Sequence, residues 1–423
     1  MKNVRLSALV VVGALVLLAC PNKPKPDPGN ADAATQSSSS GAVPTPTDLG
    51  DANHGKELVA TFQCNRCHEG TGHASAPQNK HCVGCHKDIM EGRFKAPEAS
   101  IARWKPRIKD LADAPSLEAT GKRFNRAWIE QYLLQPADLR PHLAQYMPRL
   151  ALSSKDAKDI AAYMVPDADK PGAPDTTPIK GADLGKGRQL METKGCGTCH
   201  AMTGVAKIEA SNPPQLDAKE FERAHKLAPD LRVTRDRMSP SKLVAWLKDP
   251  KAVKSDSAMP KIPLSDAEVK DLAGYLYTVE LADPPKKAKP ARLPVLTRKV
   301  TFKEVDEKVF HRTCWHCHSE PDYAIGDGGP GNSGGFGFKP RGLNLSDYNG
   351  IAAGFLDDKG ERASVFSKEK EDTPRLVRAL MARYDEELGA PTSDVRGMPL
   401  GYEALSLEDV QLVETWIAQG RPR

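Results

Sequence analysis

Residues 196–200 read Cys196-Gly197-Thr198-Cys199-His200, and three other stretches repeat the pattern: Cys64-Asn65-Arg66-Cys67-His68, Cys82-Val83-Gly84-Cys85-His86 and Cys314-Trp315-His316-Cys317-His318. Every cysteine except Cys20 falls in one of these pentapeptides. Two thiols three residues apart lie on one turn of helix and can reach both vinyl groups of one porphyrin. The adjacent imidazole then faces the iron. A redox dithiol has no need of the trailing His, and a zinc site needs a fourth ligand at regular spacing, which does not recur. The pattern predicts four covalently bound haem c groups. Cys64, Cys67, Cys82, Cys85, Cys196, Cys199, Cys314 and Cys317 would hold them, with His68, His86, His200 and His318 on the irons.

Outward from the pentapeptides the chain falls into three units. Residues 166–183 and 281–298 are Pro-rich and read as linkers, leaving 51–165, with two pentapeptides, and 184–280 and 299–423, with one each. The units share a tail. Met147-Pro148, Met259-Pro260 and Met398-Pro399 are followed by Ser153, Ser265 and Ser406, each with an acidic residue three later: Asp156, Glu268 and Asp409. That is a helix-start signature. Apolar residues then recur on one helical face: Ala157, Ile160 and Met164; Val269, Leu272 and Leu276; Val410, Val413 and Ile417. The first two units also match upstream, in Ala114-Pro115-Ser116-Leu117 and Ala228-Pro229-Asp230-Leu231. Arg123 and Arg237 follow eight residues after each Pro, and Pro136 and Pro250 follow 21 after it. Such an ungapped match reads as a duplication.

A pentapeptide after a short helix, a Pro-x-Leu turn, a Met-Pro loop and a final helix resemble class I cytochrome c. The resemblance covers the first two units almost end to end. The third unit lacks the Pro-x-Leu turn. It is closer to the planctomycete-type cytochrome c domain, through Gly342-Leu343-Asn344-Leu345-Ser346, Gly354, Met398-Pro399 and the ending Glu414-Thr415-Trp416-Ile417-Ala418-Gln419-Gly420. The resemblance implies an all-α fold of three tandem cytochrome c-like helical domains, joined by the Pro-rich linkers, with each haem wedged between helices.

A Met thioether opposite His gives a six-coordinate iron of raised potential. Met147, Met259 and Met398 are the candidates, since matched Met-Pro pairs before matched helices go beyond the usual use of Met as core filler. By the resemblance, Pro115 and Pro229 would each offer a carbonyl to a proximal imidazole, fixing its tautomer. Arg123 and Arg237 are candidates to pair with haem propionates, or else solvated surface residues. The first unit holds two haems but one Met-Pro. The helical stretch leading into Cys64 favours Met147 for the first haem. The 29 residues from His86 to Pro115, the same as from His200 to Pro229, favour it for the second. Loop length varies freely, so the first is preferred. The second haem then takes a His, with His73 or His54 expected and His81 badly placed beside Cys82. His316 reads as a surface residue or an auxiliary donor.

The N-terminus carries Lys2 and Arg5 before an apolar run at 7–19, too short to span a bilayer but suited to a signal-peptide core. Leu17-Leu18-Ala19-Cys20 resembles a bacterial lipoprotein cleavage box, which implies that residues 1–20 hold a lipoprotein signal peptide and that Cys20 becomes the lipid-modified first residue. Residues 21–50, rich in Pro, Ser, Asp and Ala, read as a disordered tether. Eight thiols in an exported chain would tend to pair as disulfides unless consumed. Aromatic residues make up only 6% of the 423 residues, a lean core that a large cofactor would staple. A formal net charge of +5 is too mild and scattered to argue for nucleic acid.

These readings predict an exported electron carrier. It is lipid-anchored to a bacterial membrane, faces the periplasm or cell surface, and passes electrons between redox proteins through mobile units on flexible linkers. The alternative is a haem enzyme, a dihaem peroxidase or a small-molecule reductase, with one iron open at His86 or His318. The stretch at 329–334 fits G-x-G-x-x-G but has no strand before it and a Pro inside, so it reads as a loop. The basic run at 286–289 reads as solvated.

Overall fold

The computed structural model describes residues 49–108, 110–137, 139–143, 146–166, 174–209, 212–320, 334–368, 372–391 and 394–423. The expected leader with Cys20, the tether up to residue 48, residues 167–173 of the first linker and the glycine loop at 329–333 lie outside them. Helices build the fold. Among the described residues the one strand pair is Phe355–Leu356 antiparallel to Arg362–Ala363. None of the described helices is long and apolar enough to cross a membrane.

Buried apolar side chains form three clusters in chain order. The first centres on Val59, Ile129 and Ile160, the second on Met191, Leu243 and Leu272, the third on Phe310, Val377 and Trp416. In each, a closing helix supplies the apolar stripe: Ser154–Met164, Asp266–Thr278 and Leu407–Ala418. The serine ahead of each accepts a backbone N–H from the acidic residue three later, with distances of 3.1 Å at Ser153, 3.3 Å at Ser265 and 3.1 Å at Ser406. The first two caps are reciprocal, the acidic side chain taking the serine's own N–H. Each such bond satisfies one of the four amide donors that a helix start leaves bare.

The first two units are built alike around a helix crossing. Leading helices Ala52–Thr61 and Leu184–Thr193 lie against the closing helices. The crossing is close because Gly55 and Gly187 stand there: an added Cβ would meet Asp159 O at 1.9 Å and Asp271 O at 2.3 Å. The same two aspartates take the backbone N–H at each leading helix's N-cap, Asp51 N to Asp159 Oδ1 at 2.7 Å and Asp183 N to Asp271 Oδ1 at 2.9 Å. In the third unit a π-helix, Asp306–Cys314, leads into the pentapeptide instead.

The expectation of mobile units on flexible linkers does not hold. The first and second units dock through Asn125 N to Arg237 O (2.7 Å), Asp230 N to Leu139 O (2.8 Å) and the Lys226–Asp110 ion pair (2.9 Å). The first and third dock through Arg66, whose Nη1 donates to Gly334 O at 3.2 Å and whose guanidinium lies 4.8 Å over the Phe336 ring. Nor is the second linker all solvated. Lys289 pairs with Asp385 at 2.7 Å, and Leu296 N donates to Thr415 Oγ1 at 3.0 Å, so this stretch runs as a strap along the third unit. Carbonyls and amides along an extended stretch find partners as readily as those of a helix, which composition alone does not reveal.

Candidate haem-attachment sites

Each pentapeptide sits where a turn tightens. Cys64–Arg66 and Cys196–Thr198 are single 3-10 turns, entered through residues with left-handed backbone, Gln63 (φ 53°) and Gly195 (φ 72°). Cys82 opens the helix Cys82–Met90, and Cys314 closes the π-helix. The motif histidines share one feature. His68 Nδ1 lies 2.8 Å from Pro115 O, His200 Nδ1 2.8 Å from Pro229 O, and His86 Nδ1 3.4 Å from Leu111 O. The Leu343 backbone is the partner of His318. A carbonyl can only accept, so Nδ1 carries the proton and Nε2 keeps its lone pair, the state a metal needs. Burial lowers all four basicities, with His86 pushed down to about 4 by burial and then by the nearby His316. The carbonyl bonds work against that shift.

The methionines divide among these sites. Met147 packs on the apolar cluster that also meets Cys64, Met259 on that of Cys196, and Met398 on that of Cys314. Met259 Sδ accepts from Trp246 Nε1 at 3.0 Å. Among the described residues, no apolar cluster joins a Met-Pro methionine to Cys82. Of the two pentapeptide histidines in the first unit, His68 meets the Pro115 carbonyl across 47 residues, whereas His86 faces Leu111 O.

Arg123 and Arg237 are buried rather than solvated. Each has an Nε–H without a hydrogen-bond partner, and burial brings each guanidinium down to about 10. Arg237 lies over Phe124 and Trp128 of the first unit, and Arg123 over Phe124 from the other side of the sequence match. A buried cation with an unspent donor is costly unless an anion completes it. A haem propionate is such an anion, so the residues present fit the group that the pentapeptides imply.

The histidines proposed for the second haem go elsewhere. His54 Nδ1 binds Asp159 Oδ2 at 2.7 Å, on the leading and closing helices. His73 Nε2 donates to Lys56 O at 2.9 Å, and His81 Nδ1 accepts from Gly84 N at 2.8 Å as a helix cap. The ring beside His86 is that of His316, with centroids 6.2 Å apart. Sequence reading passed over His316 because a pentapeptide leaves its two inner positions open. Its one signal was a second imidazole within the motif. The aspartates Asp159 and Asp271 were also missed, although both stand six residues after a capping serine.

The attachment sites converge. The Cys67 and Cys82 thiols are hydrogen-bonded to each other, which raises the first and lowers the second, and Arg66 beside them favours the Cys82 thiolate. Cys317 feels both Cys82 and Arg66. On the other side, Arg140 of the first unit acts on His68, and His142 acts on His200. Among the described residues no three His, Cys, Asp or Glu side chains are grouped as a bare metal ion would need.

No curated protein matches the chain. Residues 184–280, the unit built on Cys196, Cys199, His200 and Met259, match the family model for cytochrome c, a match that supports covalent haem c and haem-based electron transfer for this stretch.

Proposed function

We propose that the whole chain is a tetrahaem c-type cytochrome. It is exported and held to a bacterial membrane by lipid on Cys20, and it passes electrons between redox protein partners as a carrier rather than an enzyme. In this reading it comprises a dihaem domain at 51–165 and monohaem domains at 184–280 and 299–423. The observation that carries it is the shared state of the four pentapeptide histidines: each has a backbone carbonyl as partner. The repetition extends the chemistry of the matched domain to the other three sites.

Haem c, when bound, supplies a one-electron iron couple. The chain's residues do the rest. Pro115, Leu111, Pro229 and Leu343 hold each imidazole in one tautomer. Met147, Met259 and Met398 would each offer a thioether sulfur to the group held at the Cys64, Cys196 and Cys314 sites, which would raise its potential. Arg123 and Arg237 offer charge to propionates, and the buried clusters exclude water. The hydrogen-bonded Cys67 and Cys82 thiols put two attachment edges side by side, as a short electron path requires.

Intact mass and a pyridine-haemochrome assay on protein matured in an export host test the reading. Four haems per chain, a lipid-sized increment on Cys20 and a wholly low-spin ferric EPR spectrum without peroxide turnover are expected. Fewer haems, or a high-spin haem coupled to turnover, would overturn it.

A further inference from the structure

The tetrahaem reading leaves one iron short of a ligand, the one whose proximal histidine is His86. We infer that His316, supplied by the C-terminal unit, is the sixth ligand of that iron; the inference rests on the tetrahaem reading. The imidazoles of His86 and His316 stand with centroids 6.2 Å apart and planes 41° from parallel. This is no stacking contact: the stacked pair in this protein, His142 and His225, has centroids at 3.9 Å and 25°. With metal–imidazole bonds of about 2 Å, two imidazoles on opposite sides of one iron hold their ring centres roughly 6 Å apart. His86 is only 8% exposed, and its Nδ1 faces Leu111 O, which leaves Nε2 as its coordinating atom. Two imidazoles at this spacing gain little from each other, whereas a shared metal would use a lone pair from each.

The surroundings agree. Cys317, next in sequence to His316, lies within electrostatic reach of Cys82, so the two attachment sites adjoin across the unit interface. The interface is pinned there by Arg66, which donates to Lys80 O at 2.9 Å and to Gly334 O at 3.2 Å. His54 is held on Asp159 and His73 on Lys56 O, in the packing of the leading helix rather than beside His86. His316 occupies one of the two inner positions of its pentapeptide, which haem attachment does not use, and its ring stands next to His86. An iron bonded to both units would then lock the C-terminal unit onto the dihaem unit.

The test uses the full chain, with haem counted by mass in every sample. In His316→Ala one haem of four turns high-spin in the ferric EPR spectrum and binds carbon monoxide when reduced, and added imidazole restores the low-spin spectrum. His54→Ala and His73→Ala keep four low-spin haems. His316→Met stays low-spin and raises the midpoint potential of one haem, since thioether replaces imidazole. Four low-spin haems in His316→Ala, or a high-spin haem in His54→Ala or His73→Ala instead, would overturn the assignment. If the alanine variant loses haem, His316→Met decides, and unchanged potentials at all four haems count against His316. A wild-type protein with fewer than four haems sinks the tetrahaem reading itself, and the count separates the two failures.

Discussion

Arg237 reaches from the second unit into the first, over Phe124 and Trp128, and ends with an Nε–H unspent. A buried cation beside a haem disfavours the ferric state, because oxidation adds positive charge. Replacing it with the apolar Arg237→Met should lower one haem's midpoint potential. An interaction on the order of 1–2 kcal/mol at effective dielectric 20 corresponds to roughly 50–100 mV for a one-electron couple. Spectroelectrochemical titration reads this directly, and four unshifted potentials would return Arg237 to a packing role. A second residue-scale prediction concerns Asp159. Burial works to raise its pKa, but donors from His54, Lys155 and Asp51 N outweigh that and hold it at about 2. Such a depressed carboxylate stabilises the fold above its ordinary value of 3.8, and this contribution is lost as pH falls toward 2. Asp159→Ala should cost about 2–4 kcal/mol in urea unfolding at neutral pH, from lost charged hydrogen bonds. At this scale the sequence was legible where chemistry is local. Thiol spacing is what points to the attachment sites, and the class I resemblance is what points to the Pro115 and Pro229 carbonyls that face His68 and His200. It was not legible where partners are remote: His68 and Pro115 are 47 residues apart, and the 29 residues from His86 were an equally good count.

The helix crossings of the first two units rest on glycine. At Gly187 an added Cβ meets Asp271 O at 2.3 Å and the Tyr275 Cβ at 2.5 Å, both on the closing helix. Gly187→Ala gains helix propensity of about 1 kcal/mol yet forces the two helices apart, a cost of about 1–3 kcal/mol or more. The crossing cost should win, and urea denaturation of the full chain should show net destabilisation. An alanine variant as stable as the parent would mean that the crossing is slack. Ser265→Ala should cost about 1 kcal/mol through the lost cap. The caps and the apolar stripes were readable because both are periodic within a dozen residues. The crossing glycines were not, because nothing local separates a glycine that permits close approach from one in a loop. Only the repeat does so, since Gly55 and Gly187 each stand nine residues before the first cysteine of their pentapeptides. The π-helix ahead of Cys314 gave no sequence signal either: its polar and apolar residues alternate as an ordinary helix's would.

Over the whole molecule, packing between units replaces the loose tandem array that the Pro-rich segments implied. Proline removes donors and stiffens a segment, but it does not prevent the segment from lying along a surface. One interface has a built-in pH response. His225 stacks on His142 across the first and second units, and burial, with the charge of His142 added, keeps His225 below the ordinary value of 6.5. The docked state therefore favours the neutral ring, so the contribution is complete above that value and falls as pH drops through it. The Lys226–Asp110 pair (2.9 Å) and the Arg223–Asp113 pair (3.8 Å) cross the same interface. Hydrogen-exchange protection factors at residues 139–143 and 218–227, corrected for the intrinsic rate at each pH, should fall between pH 7 and pH 5, and His225→Phe should remove that step. Docked units also bear on electron flow. If the proposed haems sit where the pentapeptides place them, the edges at Cys67, Cys82 and Cys317 adjoin, and Arg140 and His142 bring the His200 site to the first unit. An electron injected photochemically at one haem should then spread over the chain at a rate independent of both solvent viscosity and protein concentration, because no unit has to travel. Units that separate and meet again would instead give a rate falling as sucrose is added. Transient absorption at matched haem occupancy, with and without sucrose, distinguishes the two, and a viscosity-dependent rate would show that the interfaces described for the fold do not persist in solution.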